Sequence, residues 1–401
     1  MADGDLLYDW NAGGTELHRV ELDDETLRDG LQNPSVRSPS LEDKRRCLRL
    51  MCELGIQRVD LGLPMSAQVE DIRGLMQTIR DEQLDIQAGL AVRTVVADLE
   101  TVAMLRDEFP DVNLKASAFL GSSRIRMWVE GWTWQKVVDT AVNAIEWAAA
   151  RDVPVMFVTE DTTRSRPDDI ASLYVRAAEA GASEVCVADT CGHALPWGAR
   201  AIVAHVRGAL HAAGRGDVIL NWHGHSDRGV ALANCLAAIE GGAQVVHGTI
   251  LGIGERSGNA QIDQLLVNLH LLGLWDRPLE ALDTYVQLVS EATGVRIPEL
   301  YPMFGRDAFR TMTGVHAAAI AKARRQGDAA IVDLIYSAVP ARLIGRKQEI
   351  EVGRLSGAWC VRAWCDDHGV TDYDDAAIAR VLERAQGCAT VLTEAEIRAL
   401  L

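Results

Sequence analysis

The chain has 401 residues, of which 48% are hydrophobic and 24% are charged, as in an ordinary soluble globular enzyme with one large and one smaller domain. A net charge of −17 disfavours nucleic acids and acidic membrane surfaces as partners, and no apolar run is long enough to span a membrane. Eight cysteines without a Cys-x-x-Cys pair argue against a zinc ribbon or a disulfide framework. Because the first residues lack a signal-peptide layout, we expect a cytoplasmic protein.

Short apolar runs alternate with helical segments over most of the chain, which is typical of a parallel α/β fold. Eight such units in about 270 residues match the usual size of a (β/α)8 TIM barrel. We predict this barrel over residues 1–273, with a doubly wound sheet as the alternative, because strand order cannot be read from a sequence. The predicted strands are Val20–Leu22, Arg58–Leu63, Ile86–Val92, Leu114–Phe119, Val155–Val158, Glu184–Ala188, Val218–Trp222 and Gln244–Ile250.

The pattern changes after His270, where apolar residues recur at helical spacing and little strand pattern remains. Residues 274–401 are therefore predicted to form a helical C-terminal region. Its predicted helices are Leu279–Ala292, Val315–Arg325, Ala329–Tyr336, Gly357–His368, Asp374–Ala385 and Glu394–Leu400.

The stretch Glu21–Asn33, ELDDETLRDGLQN, places polar side chains where the first predicted strand ends. Gly30 permits a sharp turn that leaves Arg28 and Asp29 at the C-terminal rim of this strand. In a TIM barrel the active site is built at that rim. An ordinary solvated Arg and Asp pair is the alternative reading.

A His-Gly-His pattern, His223 to His225, follows the seventh predicted strand directly. Residues two apart on a strand point to the same side, so both imidazoles face one place. Together with Asp29 they would offer a divalent metal three ligands and leave positions open for substrate and water. Two histidines satisfied by backbone carbonyls are the alternative.

The glycine-rich stretch GTILGIGERSGNAQIDQL follows the eighth predicted strand. Asn259 stands where an amide oxygen could complete the metal site, and Glu255 with Arg256 could form a supporting pair. A glycine-rich loop before a helix, without a role in binding, is the alternative. A dinucleotide fingerprint is disfavoured because the glycine spacing fails and no βαβ unit follows.

Five motifs carry a family resemblance: ETLRDGLQ, VTEDTTRS, ADTCGHALP, NWHGHSDRGVALAN and GTILGIGERSGNA. In this order they resemble the acyl-CoA condensing branch of the DRE-TIM metallolyase superfamily, the 2-isopropylmalate, homocitrate and citramalate synthases. The C-terminal GRDAFRTMTGVHAAAI and PARLIGRKQEIEVGRLSG resemble subdomain motifs of that branch, so the similarity extends from about residue 18 to 370. Nothing resembles the additional regulatory domain of leucine-pathway synthases, so feedback control by that route is not expected.

This resemblance implies condensation of acetyl-CoA with an α-keto acid and hydrolysis of the thioester, giving a 2-hydroxy dicarboxylic acid and free coenzyme A. It implies a divalent cation (Mg²⁺, Mn²⁺ or Zn²⁺) on Asp29, His223 and His225, with Asn259 as the further ligand. The cation would chelate the keto acid and polarise its ketone.

Four further residues acquire roles from the resemblance. Arg28 would stabilise the developing oxyanion, because a fixed cation suits that task. Gln32 and Thr190 would orient substrate oxygens, and Glu160 matches the acid of the family's base network.

A proton relay is implied to come from the partner subunit's C-terminal region. His316 in TGVHAAAI matches the relay histidine, and Tyr336 matches the relay tyrosine less securely. A core or surface aromatic remains the alternative for Tyr336. If the match holds, the enzyme is a homodimer.

The sequence departs from the family pattern at several places. HGHSD has Ser226 where the family has asparagine, and DTCGH has His193 where a tyrosine is usual. TMTGVH replaces the usual HESGIH, with Thr311, Met312 and Thr313 in place of three polar residues. The metal ligands are retained, so the reaction class is expected to hold while the substrate pocket and the relay are altered.

The substrate prediction depends on FLGSSRIRMWVEGWTW after the fourth strand. Arg124 and Arg126 could grip a second anionic group of the keto acid, such as that of 2-oxoglutarate, oxaloacetate or phosphonopyruvate. Equally, they could be rim arginines that pair with Glu130 or bind coenzyme A phosphates. A small aliphatic keto acid is the alternative substrate.

Two other functions remain open. The RDGLQN stretch is similar to that of hydroxymethylglutaryl-CoA lyases, but the GERSGN loop lacks the cysteine that those lyases carry. The altered TMTGVH stretch leaves a non-catalytic binding relative as the last alternative.

Overall fold

The computed structural model describes residue 6 and residues 8–11, 17–65 and 68–401. Within them, the barrel strands are β1 Glu21–Asp24, β2 Arg58–Asp60, β3 Gln87–Arg93, β4 Leu114–Gly121, β5 Val155–Glu160, β6 Glu184–Asp189, β7 Ile219–Gly224 and β8 Val245–Gly248. Each strand pairs in parallel with the next, and β1 pairs in parallel with β8 to close the barrel. The predicted TIM barrel is therefore confirmed, and the doubly wound alternative is excluded.

Every predicted strand overlaps an observed one, and the differences lie at the ends. β2 stops at Asp60, two residues before Gly62, whose φ of +135° favours glycine. β8 stops at Gly248, because the chain turns into a short 3-10 helix over Ile250–Gly252. Because β2 and β8 end early, residues that follow them, such as Leu63 and Glu255, can line the cavity at the mouth of the barrel.

Helices lie between and after the strands, and local signals fix their ends. They are α1 Leu41–Leu54, α2 Val69–Asp81, α3 Val96–Glu108, α4 Arg124–Glu130, α5 Trp134–Ala149, α6 Pro167–Glu179, α7 Pro196–Ala212, α8 Ala231–Glu240, α9 Ile262–Leu271 and α10 Ala281–Thr293. The hydroxyl of Ser40 accepts a hydrogen bond from the Asp43 N–H at 3.1 Å and starts α1, which ends at Gly55 with a φ of 79°. Across the described part of the chain, no helix combines the length and the apolar character that a membrane crossing requires.

Helix α4 occupies the segment in which the sequence placed two substrate-binding arginines. The Ser123 hydroxyl caps its start by accepting a hydrogen bond from the Arg126 N–H at 3.1 Å. Gly131, with a φ of 64°, ends it. The serine and the glycine are ordinary helix signals, so this short helix could have been read from the sequence.

A layer of buried ions fills the barrel below the mouth. Lys115 Nζ lies 3.4 Å from both Asp23 Oδ2 and Glu184 Oε2. Arg58 Nη1 donates to Glu184 Oε2 at 2.6 Å, and Asn221 Nδ2 donates to the same oxygen at 3.0 Å. Removing one partner from such a layer costs roughly 3–5 kcal/mol, because a buried charge is left uncompensated.

The chain divides into two compact units. The first extends to Arg277 and also includes Tyr285–Val295, so most of α10 belongs to the barrel unit. The second comprises Pro278–Thr284 and Arg296–Leu401. The boundary at residue 273 stays a prediction.

The second unit is mainly helical, with a small sheet that the sequence did not predict. Its helices are α11 Gly314–Gln326, α12 Ala329–Leu334, α13 Ala358–Asp367, α14 Asp375–Gln386 and α15 Glu394–Leu400, and its strands are β9 Arg310–Thr311 and β10 Glu349–Ile350. β9 and β10 pair in parallel and have two residues each, which is too short for a period-two pattern to appear. Ile320, Val361, Trp364 and Val381 belong to the apolar core of this unit.

Asp24 is a buried carboxyl at the end of β1. Its Oδ1 accepts a hydrogen bond from the Thr26 N–H at 2.8 Å, and its Oδ2 accepts one from the Tyr285 hydroxyl at 2.9 Å. Burial raises the pKa of this carboxyl from 3.8 to about 7, against the opposing effect of these hydrogen bonds.

We expect Asp24→Asn to change how stability depends on pH. The folded state holds the Asp24 proton up to about pH 7, whereas the unfolded chain releases it near pH 3.8. The protonated Asp24 therefore contributes to the free energy of unfolding at low pH, and this contribution is lost as the pH rises through 7. Relative to the variant, the wild type should lose roughly 1 kcal/mol of unfolding free energy per pH unit between these values. Urea denaturation at several pH values measures this, and parallel stability profiles would contradict it.

Candidate active site

A cavity of about 280 Å³ opens at the C-terminal end of the barrel strands. This is near the lower limit of common ligand pockets. Seven of the residues predicted from the sequence line it together: Arg28, Asp29, Gln32, Glu160, Thr190, His223 and His225. They come from β1, β5, β6 and β7 or from the loops that follow, which is where a TIM barrel carries its active site.

Asp29, His223 and His225 form a compact buried cluster in this cavity. Asp29 Oδ2 lies 3.0 Å from His225 Nε2 and 3.4 Å from His223 Nε2. Three ligand atoms, one from each residue, lie within 4.8 Å of one another. A carboxylate oxygen with two imidazole nitrogens is a donor set that suits a divalent cation.

The hydrogen bonds of His225 show which of its nitrogens could bind a metal. Its Nδ1 lies 2.7 Å from the Thr190 carbonyl oxygen, which only accepts, so Nδ1 carries the hydrogen. In the neutral ring, Nε2 then presents a lone pair to Asp29 Oδ2 at 3.0 Å. Two acceptors at this distance repel each other unless a proton or a metal ion lies between them. The arrangement therefore fits a bound cation.

Asn259, the fourth predicted ligand, is buried and pairs through its backbone with His225. Its Nδ2 donates to the Ile253 carbonyl at 3.1 Å, while its Oδ1 has no hydrogen-bond partner. A buried amide oxygen without a partner is costly, and a cation would satisfy it. Asn259 is not among the residues that line the cavity, and its amide oxygen is available as a donor to a cation.

Glycine is required in the loop that carries Asn259. At Gly254, with a φ of 146°, a Cβ atom would lie 2.1 Å from Asn259 Nδ2. At Gly258, with a φ of 83°, it would lie 1.8 Å from the Gly252 carbonyl oxygen. The glycines of GTILGIGERSGNA thus allow the close approach that brings Asn259 against His225.

Arg28 is surrounded by three carboxylates. Its Nε donates to Asp60 Oδ2 at 2.9 Å, its Nη2 pairs with Glu25 Oε2, and its Nη1 lies 3.7 Å from Asp29 Oδ2. Burial raises the pKa of the Asp29 carboxyl, but the Arg28 guanidinium together with His225 and His223 outweighs burial and holds that pKa well below its usual value. Asp29 is therefore ionised, as a metal ligand must be, and the Nη1 edge of Arg28 faces it.

Three site residues were not predicted from the sequence: Glu25, Asp60 and His247. Glu25 Oε1 lies 2.6 Å from His247 Nδ1 and 3.4 Å from His223 Nδ1. Burial raises the pKa of Asp60 to about 7, despite the nearby Arg28 guanidinium. Buried ionisable residues in strand-like sequence were the available signal, because such residues are seldom fully buried without a partner.

Glu160 and Thr190 stand on the rim of the cavity. Burial raises the pKa of the Glu160 carboxyl, and the Arg126 guanidinium partly opposes this. A raised carboxyl pKa brings the group nearer to the range in which it can exchange protons at neutral pH. The Thr190 hydroxyl accepts a hydrogen bond from the Asp161 N–H at 2.8 Å and keeps its own hydrogen for another partner.

Arg124 and Arg126 lie on α4 and do not line the central cavity. Arg124 Nε and Nη2 both donate to Asp169 Oδ2, at 3.0 and 2.7 Å. Arg126 Nη2 lies 3.2 Å from Glu130 Oε1, and Arg126 lines a second cavity of about 360 Å³. Glu130 was the partner that the alternative reading named for these arginines.

His316 and Tyr336 lie together in the second compact unit. Their rings stack with centroids 3.9 Å apart and an angle of 29° between the ring planes. Both side chains are exposed, and Tyr336 keeps 47% of its surface accessible. The two residues implied as a proton relay are therefore adjacent, and their contribution to the reaction stays a prediction.

The fold and the site together define a TIM-barrel protein with a cluster of Asp29, His223 and His225 that suits a divalent cation. Residues 19–289 match the HMGL-like family, and the chain belongs to that family. It is similar to homocitrate synthase AksA of Methanopyrus kandleri, with 30% identity over 90% of this chain and 85% of that one. It is also similar to 2-isopropylmalate synthase of a Synechococcus species, with 30% identity over 92% of this chain and 69% of that one. The predicted family resemblance is confirmed, and the chain is an enzyme of the synthase type.

Solved structures agree on the barrel. The HMG-CoA lyase of Bacillus subtilis superposes with a TM-score of 0.57 and 20% identity, covering 70% of this chain and 95% of that chain. The HMG-CoA lyase of Brucella melitensis gives a TM-score of 0.55 and 21% identity. At such identities the likeness concerns the fold alone.

We expect Asp29→Asn to abolish tight binding of a divalent metal, because the carboxylate between the two histidines is lost. Asp161→Asn is the matched control, since Asp161 is another rim carboxyl, is held by Arg164 and has a φ of 59° that asparagine tolerates. Metal content after dialysis, with circular dichroism as a check on folding, measures both variants. An equal loss in both, or in neither, would refute the assignment of Asp29.

Proposed function

We propose that the protein catalyses a metal-dependent condensation of acetyl-CoA with an α-keto acid, followed by hydrolysis of the thioester by water, giving a 2-hydroxy dicarboxylic acid and coenzyme A. The observation that carries this proposal is the Asp29, His223 and His225 cluster beside the Nη1 edge of Arg28. Membership of the HMGL-like family and similarity to synthases over most of the chain support the same reaction.

The proposed roles of the site residues follow from their charges and donor atoms. Asp29, His223 and His225, with Asn259 as the further donor, would hold the divalent cation, which would polarise the ketone of the keto acid when bound. Arg28 would hold the negative charge that develops on that oxygen, since its Nη1 is the edge not engaged by Asp60 or Glu25.

Proton removal from the acetyl group requires a base, and Glu160 is the candidate from the barrel. Its raised pKa suits proton exchange, and it lines the central cavity together with Thr190. The exposed His316 and Tyr336 pair is the candidate for the remainder of the proton relay.

We propose that this pair serves a partner subunit in a homodimer, as the family resemblance implies. The cytoplasmic location also stays a prediction.

The walls of the cavity favour a keto acid with an apolar side chain. Apolar side chains that line it include Leu63, Ala91, Phe119, Met156 and Val158. Among its described lining residues, Arg28 is the one guanidinium or ammonium group, and it already faces three carboxylates.

We therefore propose the small aliphatic keto acid over one with a second acidic group, which the sequence favoured. Arg124 and Arg126 carried that earlier preference, and both have carboxylate partners outside the central cavity. An unpaired cation within the cavity would be needed to bind a second carboxylate strongly, since desolvating that group is costly.

Release of free thiol from acetyl-CoA across a panel of keto acids tests the proposal. With Mn²⁺ present, we expect pyruvate, 2-oxobutyrate or 2-oxoisovalerate to give faster release than 2-oxoglutarate or oxaloacetate. Arg126→Ala should leave that ranking unchanged, because its guanidinium pairs with Glu130 outside the central cavity.

A preference for 2-oxoglutarate that disappears in Arg126→Ala would restore the acidic substrate. No turnover with any keto acid would refute the synthase proposal. Cleavage of a hydroxyacyl-CoA in its place would identify a lyase.

A further inference from the structure

We propose that Glu25 and His247 are positioning residues that orient the metal ligand His223. This inference rests on the proposed metal site. It adds two residues of this chain outside the proposed ligand set: Glu25 faces His223 Nδ1 at 3.4 Å, and His247 contacts Glu25.

The polar contacts of the Glu25 carboxylate are to one guanidinium and two imidazoles. Its Oε2 accepts from Arg28 Nη2, and its Oε1 faces both His247 Nδ1 at 2.6 Å and His223 Nδ1 at 3.4 Å. A carboxylate accepts at both oxygens, whereas an amide of the same shape would turn an NH₂ group toward either Arg28 or the histidines. A glutamate carboxylate can therefore accept at both ends of this position, which a glutamine amide cannot.

The Glu25 carboxylate determines which nitrogen of His223 is available to a cation. With Nδ1–H directed at Glu25, Nε2 presents its lone pair toward Asp29 Oδ2, 3.4 Å away. A carboxylate behind a ligating histidine fixes its tautomer and ring orientation and makes the nitrogen a better donor to the metal.

His247 fixes Glu25 in turn. Its Nε2 lies 3.2 Å from Asn221 Oδ1, and Asn221 is itself oriented because its Nδ2 donates to Glu184. One end of the His247 ring is thus anchored in the buried ionic layer, and the other end meets Glu25. His247 is fully buried on β8, so its ring cannot rotate away to solvent.

Co²⁺ binding to the full-length protein tests the proposal, because the metal alone is the probe and no turnover is needed. Glu25→Gln should raise the dissociation constant by about 10- to 100-fold and should change the visible absorption band of the bound Co²⁺. His247→Leu should weaken binding in the same direction. His247→Asn should recover part of the affinity, since its amide keeps a donor near the Nδ1 position.

Asp24→Asn is the matched control. Asp24 is the neighbouring buried carboxyl, but its partners are Thr26 and Tyr285, so its variant should bind Co²⁺ like the wild type. Circular dichroism establishes that each variant is folded, and His247→Asn supplies the milder change if Glu25→Gln does not fold.

Three outcomes would overturn the proposal. In the first, Glu25→Gln and both His247 variants bind Co²⁺ with the affinity and spectrum of the wild type. In the second, Asp24→Asn weakens binding as much as Glu25→Gln does. In the third, the wild type binds a second equivalent of Co²⁺ that His247→Asn loses, because Glu25, His223 and His247 could themselves hold an ion.

Asp29→Asn separates this proposal from the proposed function. If Asp29→Asn abolishes Co²⁺ binding while the Glu25 and His247 variants bind normally, only the positioning role fails. If Asp29→Asn binds Co²⁺ normally, the metal site fails as well.

Discussion

Closure of the barrel between β1 and β8 is the constraint on which the site depends. The register pairs Asp23 with His247 and Asp24 with Gly248, so the chain leaves β1 directly beside the end of β8. Glu25 and His247 meet there although they are 222 positions apart in sequence. Asp29 meets His225 across a separation of 196 positions in the same way. Parallel strands present their C-terminal ends on one side, and only closure makes the first and last strands neighbours.

The balance of charge at the mouth explains why this site suits a cation. Glu25, Asp29 and Asp60 surround the single guanidinium of Arg28, and all three are buried. Burial raises the pKa of Asp60, whereas the pKa of Asp29 is lowered. The negative charge around Arg28 is therefore greater on Asp29 than on Asp60. Excess negative charge in a buried site is costly, and a divalent cation between Asp29 and the histidines would compensate for it.

The arginines after β4 pair with carboxylates on the protein, and this changes which substrate we propose. Ser123 caps α4, and the helix that it starts presents Arg124 to Asp169 and Arg126 to Glu130. The central cavity is left with apolar walls that include Phe119 and Met156. Under the proposed function, selectivity would arise from the volume and shape of this apolar surface, because burying a second charge without a partner is costly.

Much of the fold and part of the site could be predicted from local patterns. Alternating apolar runs and helical segments specified all eight barrel strands, and the His223-Gly224-His225 spacing specified two imidazoles on one face. These features depend on periods of 2 and 3.6 residues, which any stretch of sequence displays by itself. The family motifs pointed to Asp29 and Arg28 as well.

The tertiary structure decided which charged side chains contact one another. Asp60 and His247 look like ordinary strand residues, and Glu25 looks like an ordinary residue after a strand, until closure and register bring all three around Arg28 and His223. The partners of Arg124 and Arg126 were likewise set by where a helix lies. A sequence specifies periodicity along the chain, but an electrostatic contact depends on distance in space, and that distance exists only once the barrel is closed.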